Sequence, residues 1–260
     1  MATKLFNEII FGPIHSRRLG ISLGINLSPL YGKACTFDCL YCECGLNSQH
    51  KGGGTLPKAE EVHKALETKL IKMKVKGIVP DVLTFSGNGE PTLHPDFGRV
   101  IDDTIALRNQ YFPKAKVSVL SNATQLDRPD VVSALLKVEN PILKLDSASD
   151  DTARILDRPV SSSYSIRQQV ELMKTFKGNL IVQTLFTKGV YEGRNFDNTT
   201  ETEVSAWIEL IREIAPKSVM IYAIDRETAV NGLLKTSLKK LKSIARELTE
   251  KTGIPVSVAR

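Results

Sequence analysis

Seven short apolar runs, spaced along 260 residues, limit what this chain can fold into more than any other feature. Ile21–Leu27 is the first. Asp81-Val-Leu-Thr-Phe-Ser86, Val117-Ser-Val-Leu-Ser121, Ile142-Leu-Lys-Leu-Asp146, Leu180-Ile-Val-Gln-Thr-Leu185 and Ser218-Val-Met-Ile-Tyr222 follow. Ile254-Pro-Val-Ser-Val258 closes the series behind Gly253. Each has the length and composition of a buried strand. Between several of them lie stretches of helical period. Val62, Leu66, Leu70 and Met73 mark one stripe within residues 58–76. Val204, Trp207, Ile208 and Ile211 mark a second, and Leu238, Leu241, Ile244 and Leu248 a third. Such stripes belong to helices packed on a sheet.

Strands alternating with helices specify an α/β fold with a parallel sheet and right-handed crossovers. Six or seven units predict a partial (β/α)6 TIM-like barrel of mostly parallel strands. The expectation is a single domain over residues 1–260, with a helix and a strand at about 236–258 completing it. Ligands in such folds sit at the carboxyl ends of the strands. Two stretches read as functional loops: residues 31–56, with Gly52-Gly-Gly54, and the polar segment Thr187–Thr200.

All four cysteines fall between positions 35 and 44. A disulfide framework scatters its cysteines to close long loops. A cluster this dense is better suited to metal binding. The loop reads Cys35-Thr-Phe-Asp-Cys39-Leu-Tyr-Cys42-Glu-Cys44. Cys35, Cys39 and Cys42 can ligate three irons of a 4Fe–4S cubane, leaving the fourth iron open. The competing reading is a zinc site from all four thiols. It is disfavoured because zinc prefers separated pairs, and Cys42 and Cys44 are only two apart. Cys44 is expected to stay outside the ligand set, and too few cysteines remain for a second cluster.

Cys-x3-Cys-x2-Cys with an aromatic residue, Tyr41, before the last cysteine resembles the signature of the radical S-adenosylmethionine (SAM) superfamily. The resemblance implies one 4Fe–4S cluster and SAM as cofactors. It implies that SAM chelates the open iron and is cleaved reductively. The resulting 5′-deoxyadenosyl radical then takes a hydrogen atom from substrate. A flavodoxin- or ferredoxin-type electron donor is implied as partner, and Tyr41 is expected near the adenine.

Further motifs sit at strand ends. Ser86-Gly87-Asn88-Gly89-Glu90-Pro91 is similar to the superfamily's Gly-Gly-Glu-Pro element, which binds the SAM amino group; Asn88 stands where a second glycine is common. Ser121 and Asn122 end the next strand and either bond a ribose or carboxylate or close a local turn. Lys144 and Asp146 share one face of the following strand, as an ion pair or as a clamp on the methionine moiety. Gln183 either reaches the ribose or is a satisfied core residue.

His15, Arg17, Arg18 and Arg158 are the substrate-side candidates, with Arg154 and Arg226 as further anion contacts. The segment Phe11–Asn26, the Gly-Glu-Pro turn and Leu156-Asp-Arg-Pro159 together resemble a branch holding wyosine-type tRNA-guanosine enzymes and uncharacterised relatives. The substrate expected from that likeness is a tRNA nucleoside or a small anionic metabolite. The net charge of +6 suits either. The lysine-rich stretches at 69–76 and 235–246 read first as solvated helix faces. No run of 18 apolar residues exists for a membrane helix, and a cytoplasmic location is expected. Two rival functions remain: a glycyl-radical-enzyme activase, and a non-catalytic iron–sulfur or electron-transfer module.

Overall fold

The computed structural model describes residues 4–16, 19–50 and 53–259. Its elements run β1 (Ile10–Ser16), β2 (Gly20–Ile25), α1 (Ala59–Val75), β3 (Val82–Phe85), α2 (Phe97–Tyr111), β4 (Lys116–Ser121), α3 (Pro129–Leu135), β5 (Asn140–Lys144), α4 (Asp150–Leu156) and α5 (Ile166–Lys174). They continue with β6 (Ile181–Leu185), β7 (Thr187–Tyr191), β8 (Arg194–Asp197), α6 (Glu201–Ile214), β9 (Ser218–Tyr222), β10 (Leu233–Lys235), α7 (Leu238–Thr252) and β11 (Val256–Val258). The main sheet has eight strands in the order β1-β2-β3-β4-β5-β6-β9-β11. Every pairing from β2 to β11 is parallel; β1 alone is antiparallel. Six barrel strands, from β2 to β9, match the expected partial (β/α)6 barrel.

Two expectations change. The first strand of the sheet is β1, which forms a hairpin with β2 along the sheet edge. Thr187–Thr200 is not a loop: β7 and β8 pair antiparallel within it, and β10 joins them in a separate three-stranded sheet. Polarity concealed these strands, because only Phe196 of β8 is buried.

The sheet's two faces differ sharply. Leu23, Ile25, Leu83, Phe85, Val117, Val119, Leu143, Val182, Val219 and Ile221 belong to the core shared with the helices. The alternate residues Ser22, Gly24, Thr84, Leu120, Lys144, Gln183, Met220 and Tyr222 line the concave cavity instead. Strand side chains alternate in direction, so one strand supplies both surfaces. All three helical stripes are buried as expected except Leu238, the first residue of α7, which is exposed.

Trp207 of α6, the only tryptophan, is fully buried edge-on against Phe186. Its Nε1–H donates to the Leu145 carbonyl at 3.2 Å, at the end of β5. Trp207→Ala is expected to lower stability by about 3–5 kcal/mol, the usual cost of deleting a buried large aromatic. Denaturant titration followed by far-ultraviolet circular dichroism measures it; a loss below about 1 kcal/mol would contradict this packing role.

Candidate functional site

The cysteine loop crosses the carboxyl ends of the strands and is tied down at both sides. Ala34 pairs with the turn after β3: its N–H donates to the Asn88 carbonyl at 3.1 Å, and its carbonyl accepts from Glu90 N–H at 2.8 Å. Gly89 permits this approach, since a Cβ there would lie 1.9 Å from the Ala34 carbonyl oxygen. On the far side, Leu40 N–H donates to the Leu156 carbonyl at 2.9 Å and Val160 N–H to the Thr36 carbonyl at 2.9 Å. Leu40 packs with Ile155, Leu156 and Phe196, so the small sheet buttresses the loop from outside. Gly53 closes against Gly32, where a Cβ would meet the neighbouring Cα at 2.2 Å.

All four thiols line one cavity of ≈ 400 Å³. Burial pushes the Cys35 thiol up to about 12, with the Glu90 carboxylate adding to it. Burial also holds Cys39 well above the ordinary thiol range. Cys42 is instead pulled down to about 6, first by a hydrogen bond from Cys44 and then by Lys33. Cys44 is correspondingly raised; its sulfur also lies 3.4 Å from the Gly87 carbonyl oxygen, which competes for the same proton. Lys33 inserts among the thiols with its side chain 1% exposed. It donates to the Gly45 carbonyl at 2.7 Å. Burial opposes its charge, but Cys42, Cys35, Cys39 and Asp38 outweigh that and raise it.

A second group of charges lies beneath the loop. The Tyr41 hydroxyl donates to Asp146 Oδ2 and accepts from Lys144 Nζ, and it also contacts Asp157 Oδ1 at 3.2 Å. Lys144 covers one face of the Tyr41 ring, 4.6 Å from its centroid. Lys144 and Asp146 form an ion pair at 3.2 Å. Burial would strip Lys144 of its proton, but Asp146, Tyr222, Cys39 and Asp157 keep it charged. Asp146 Oδ1 turns into the sheet and accepts from Leu185 N–H at 2.7 Å. The Cys39 thiol faces Asp157 Oδ1 at 3.6 Å. Burial, then Asp146, raises the Asp157 carboxyl well above the carboxylate range, while Lys144 pulls it the other way.

Glu90 is buried at the end of the turn. Its Oε1 accepts from Thr92 N–H (3.1 Å), Thr92 Oγ1 (2.5 Å) and Ser121 Oγ (2.8 Å). Among the described residues, its Oε2 accepts only from Asn122 N–H, at 2.6 Å. A carboxylate oxygen has two lone pairs, so Oε2 keeps one for a ligand. Burial raises the Glu90 pKa, while the bonds from Thr92, Asn122 and Ser121 pull the other way. Across the cavity, Gln183 sits beside Lys144 in register, and its buried Nε2 has no hydrogen-bond partner among the described residues.

The structure therefore brings together Cys35, Cys39, Cys42, Tyr41, Gly87, Gly89, Glu90, Ser121, Asn122, Lys144 and Gln183 around one cavity. Asn88 has a different job from the one expected, and Asn122 and Asp146 make the structural contacts that stood as the alternative to ligand binding. Asn88 turns away and is fully buried; its amide bonds both the N–H and the carbonyl of Phe6, at 2.7 and 2.8 Å. Asn122 spends its amide on Thr36, Thr124 and Cys35. Asp146 serves the ion pair and the sheet. Among the substrate-side residues, His15 and Arg226 line the cavity, and Arg226 pairs with Glu43 at 2.6 Å. Arg158 lies outside the lining, beside Asp38 and Tyr191. Arg154 bonds the carbonyls of Ser162 and Tyr164. Arg17 and Arg18 lie outside the described residues. Sequence reasoning missed Lys33 and Asp157. Lys33 had a signal, two positions before the first cysteine; Asp157 stood inside the Leu156-Asp-Arg-Pro159 motif, but nothing local tied it to Cys39 or Tyr41.

These residues fit the two groups that the cysteine motif implies. Thiolates are the usual ligands of iron–sulfur clusters, and a buried ammonium beside them offsets an anionic metal centre. The spare Glu90 oxygen, the charged Lys144 and the orphaned Gln183 amide suit an amino acid zwitterion carrying a ribose.

The comparisons agree with this geometry. The family model of the radical SAM superfamily matches residues 30–225. A UPF0026 protein of Helicobacter pylori is 30% identical over 189 residues, covering 72% of this chain and 59% of that protein. A Brachyspira hyodysenteriae protein named GTPase Obg is 28% identical over 253 residues, 96% of this chain and 33% of that one. The chain thus spans less than two thirds of either relative. In fold it is similar to a radical SAM methyltransferase from Sphaerobacter thermophilus, with a TM-score of 0.68 at 14% identity, covering 91% of this chain and 65% of that one. It is also similar to TYW1 with a lysine-pyruvate adduct bound, with a TM-score of 0.62 at 16% identity, covering 89% and 74%. The half-barrel, the cysteine loop across its strand ends and the matched span lead to one conclusion: this chain belongs to the radical SAM superfamily, enzymes that work with a 4Fe–4S cluster and S-adenosylmethionine.

Proposed function

We propose that this chain, as one catalytic domain, cleaves SAM reductively at a single 4Fe–4S cluster held by Cys35, Cys39 and Cys42. The observation carrying this reading is the shared cavity: three motif thiols face it together with the spare oxygen of Glu90 and the unpartnered amide of Gln183. When bound, cluster and SAM supply a 5′-deoxyadenosyl radical by one-electron scission of a carbon–sulfur bond. The chain's own residues bind and orient. Glu90 receives the SAM ammonium, Lys144 faces its carboxylate, and Gln183 donates to a ribose hydroxyl. Lys33 offsets negative charge at the thiolates. Phe6, Phe11, Ile14 and Leu19 give the cavity an apolar wall that keeps water from the reacting centre. A flavodoxin- or ferredoxin-type carrier delivers the electron.

The substrate we infer is a small anionic metabolite, because Arg226 lines the cavity and can exchange Glu43 for a substrate carboxylate or phosphate. A tRNA nucleoside is the second reading, favoured by the +6 charge and the fold shared with TYW1. Gel-shift titration with tRNA at low salt separates them, since nucleic-acid binding weakens steeply as salt rises.

Anaerobic reconstitution should load about four irons per chain. Adding SAM and dithionite should then release 5′-deoxyadenosine. Stoichiometric zinc with no iron, or a full cluster that leaves SAM intact, would sink the reading. Glu90→Gln removes the charge opposite the SAM ammonium. A hydrogen bond to a charged group contributes about 1.5–3 kcal/mol, so SAM affinity should fall by roughly 10- to 150-fold. Equilibrium dialysis against the reconstituted protein measures it.

A further inference from the structure

We propose that the side-chain amide of Asn122 tunes the reduction potential of the cluster by donating a hydrogen bond to the Cys35 sulfur. This rests on the reading that Cys35 is a cluster ligand. Asn122 directly follows β4 and is 6% exposed. Its Nδ2 donates to Thr36 Oγ1 at 2.9 Å and lies 3.6 Å from Cys35 Sγ. The amide cannot be turned over. Its Oδ1 accepts from Thr124 N–H at 3.1 Å and from Thr124 Oγ1 at 2.8 Å. A backbone N–H can only donate, so the oxygen must face Thr124 and the nitrogen must face the thiol.

The three ligand sulfurs are thus not equivalent. Cys39 faces a carboxyl group, that of Asp157. Among the described residues, Asn122 is the side-chain amide that bonds a thiol of the triad. Reduction adds an electron that spreads onto the cluster sulfurs. An N–H donor stabilises that electron-rich state more than the oxidised one and raises the potential. SAM cleavage needs a strongly reducing cluster that its donor can still fill, so this contact governs how readily the enzyme is charged.

The test is an electron-paramagnetic-resonance redox titration of reconstituted protein without SAM. Asn122→Asp keeps the shape and the Thr124 contacts, but replaces the donor with a negative charge; the midpoint should move to more negative potential. Asn122→Ala removes the donor alone and should move it the same way by less. Thr36→Val cuts the neighbouring hydroxyl bonds, including Thr36 Oγ1–Thr124 Oγ1 at 2.6 Å, yet leaves the N–H facing sulfur; its midpoint should stay with wild type. An unmoved or raised midpoint in Asn122→Asp overturns the proposal. So does a Thr36→Val shift as large as that of Asn122→Asp, which would make the network responsible. Folded Asn122→Ala protein that takes up no iron also overturns it, because Asn122 would then be holding the loop. Wild-type protein without iron would fail the cluster reading itself, a result the iron assay reports separately.

Discussion

Alanine at Cys35, Cys39 or Cys42 should each abolish cluster uptake, while Cys44→Ala should keep it. Iron per chain is expected to fall from about four to near zero in the three triad variants, with 5′-deoxyadenosine below detection. Two remaining thiolates cannot grip a cubane by three corners. The interesting variant is Cys42→Ala, because Cys44 lies within hydrogen-bond reach of Cys42. Cys44 is anchored toward the Gly87 carbonyl and is buried against the strand-end turn. To replace Cys42 it would have to leave that turn and swing the loop at Gly45, whose carbonyl is held by Lys33. Wild-type iron content in Cys42→Ala would show that Cys44 can ligate. Loss of the cluster in Cys44→Ala would place it in the ligand set outright.

The second large effect is expected at Gly89. Gly89→Ala puts a methyl group 1.9 Å from the Ala34 carbonyl oxygen. Both partners are backbone, so neither can rotate away. Overpacking costs typically 1–3 kcal/mol, and the chain should stay folded. The turn and Ala34 must separate, which drags Cys35 next to it and Glu90 on the other side. Misplacement of about 1 Å at a reacting centre costs on the order of 100-fold in rate. We therefore expect SAM cleavage to fall by about that factor in Gly89→Ala. Gly193→Ala is the control: φ is positive there too, at +75°, but nothing lies within 4 Å of the new methyl. It should lose only about 1 kcal/mol of stability from left-handed backbone strain and no activity. Normal turnover in Gly89→Ala would detach this turn from SAM binding.

Much of the fold was legible in the sequence. The stripes Val62/Leu66/Leu70/Met73 and Val204/Trp207/Ile208/Ile211 are buried as their period requires. The six barrel strands fall where the apolar runs placed them. The small sheet did not show, because Thr187–Thr200 carries almost no apolar alternation. It is held by the pairing of β7 with β10, 44 to 48 residues further on, and by Phe196 against the cysteine loop. The grouping of the three motif thiols on one cavity was legible for a simple reason: cysteines within eight residues need only one loop, and spacing within a loop is local.

What tertiary structure alone decided is the partner of each polar side chain at a strand end. Asn88 was legible as a departure from glycine, but nothing local says that it clasps Phe6, eighty-two residues earlier. Tyr41, Lys144, Asp146 and Asp157 come from three separate stretches and meet only because β5 lies under the cysteine loop. The physical reason is reach. Apolar burial is non-directional and survives a shift of one neighbour. A hydrogen bond spans about 3 Å, and one residue of strand register is about 3.3 Å. Periodicity in the sequence therefore determined which residues are strands and helices, and local spacing determined which cysteines share one loop. Register and loop closure determined which of the remaining polar groups hold the loop in place and which are left free, like Gln183 and one oxygen of Glu90, to meet a ligand.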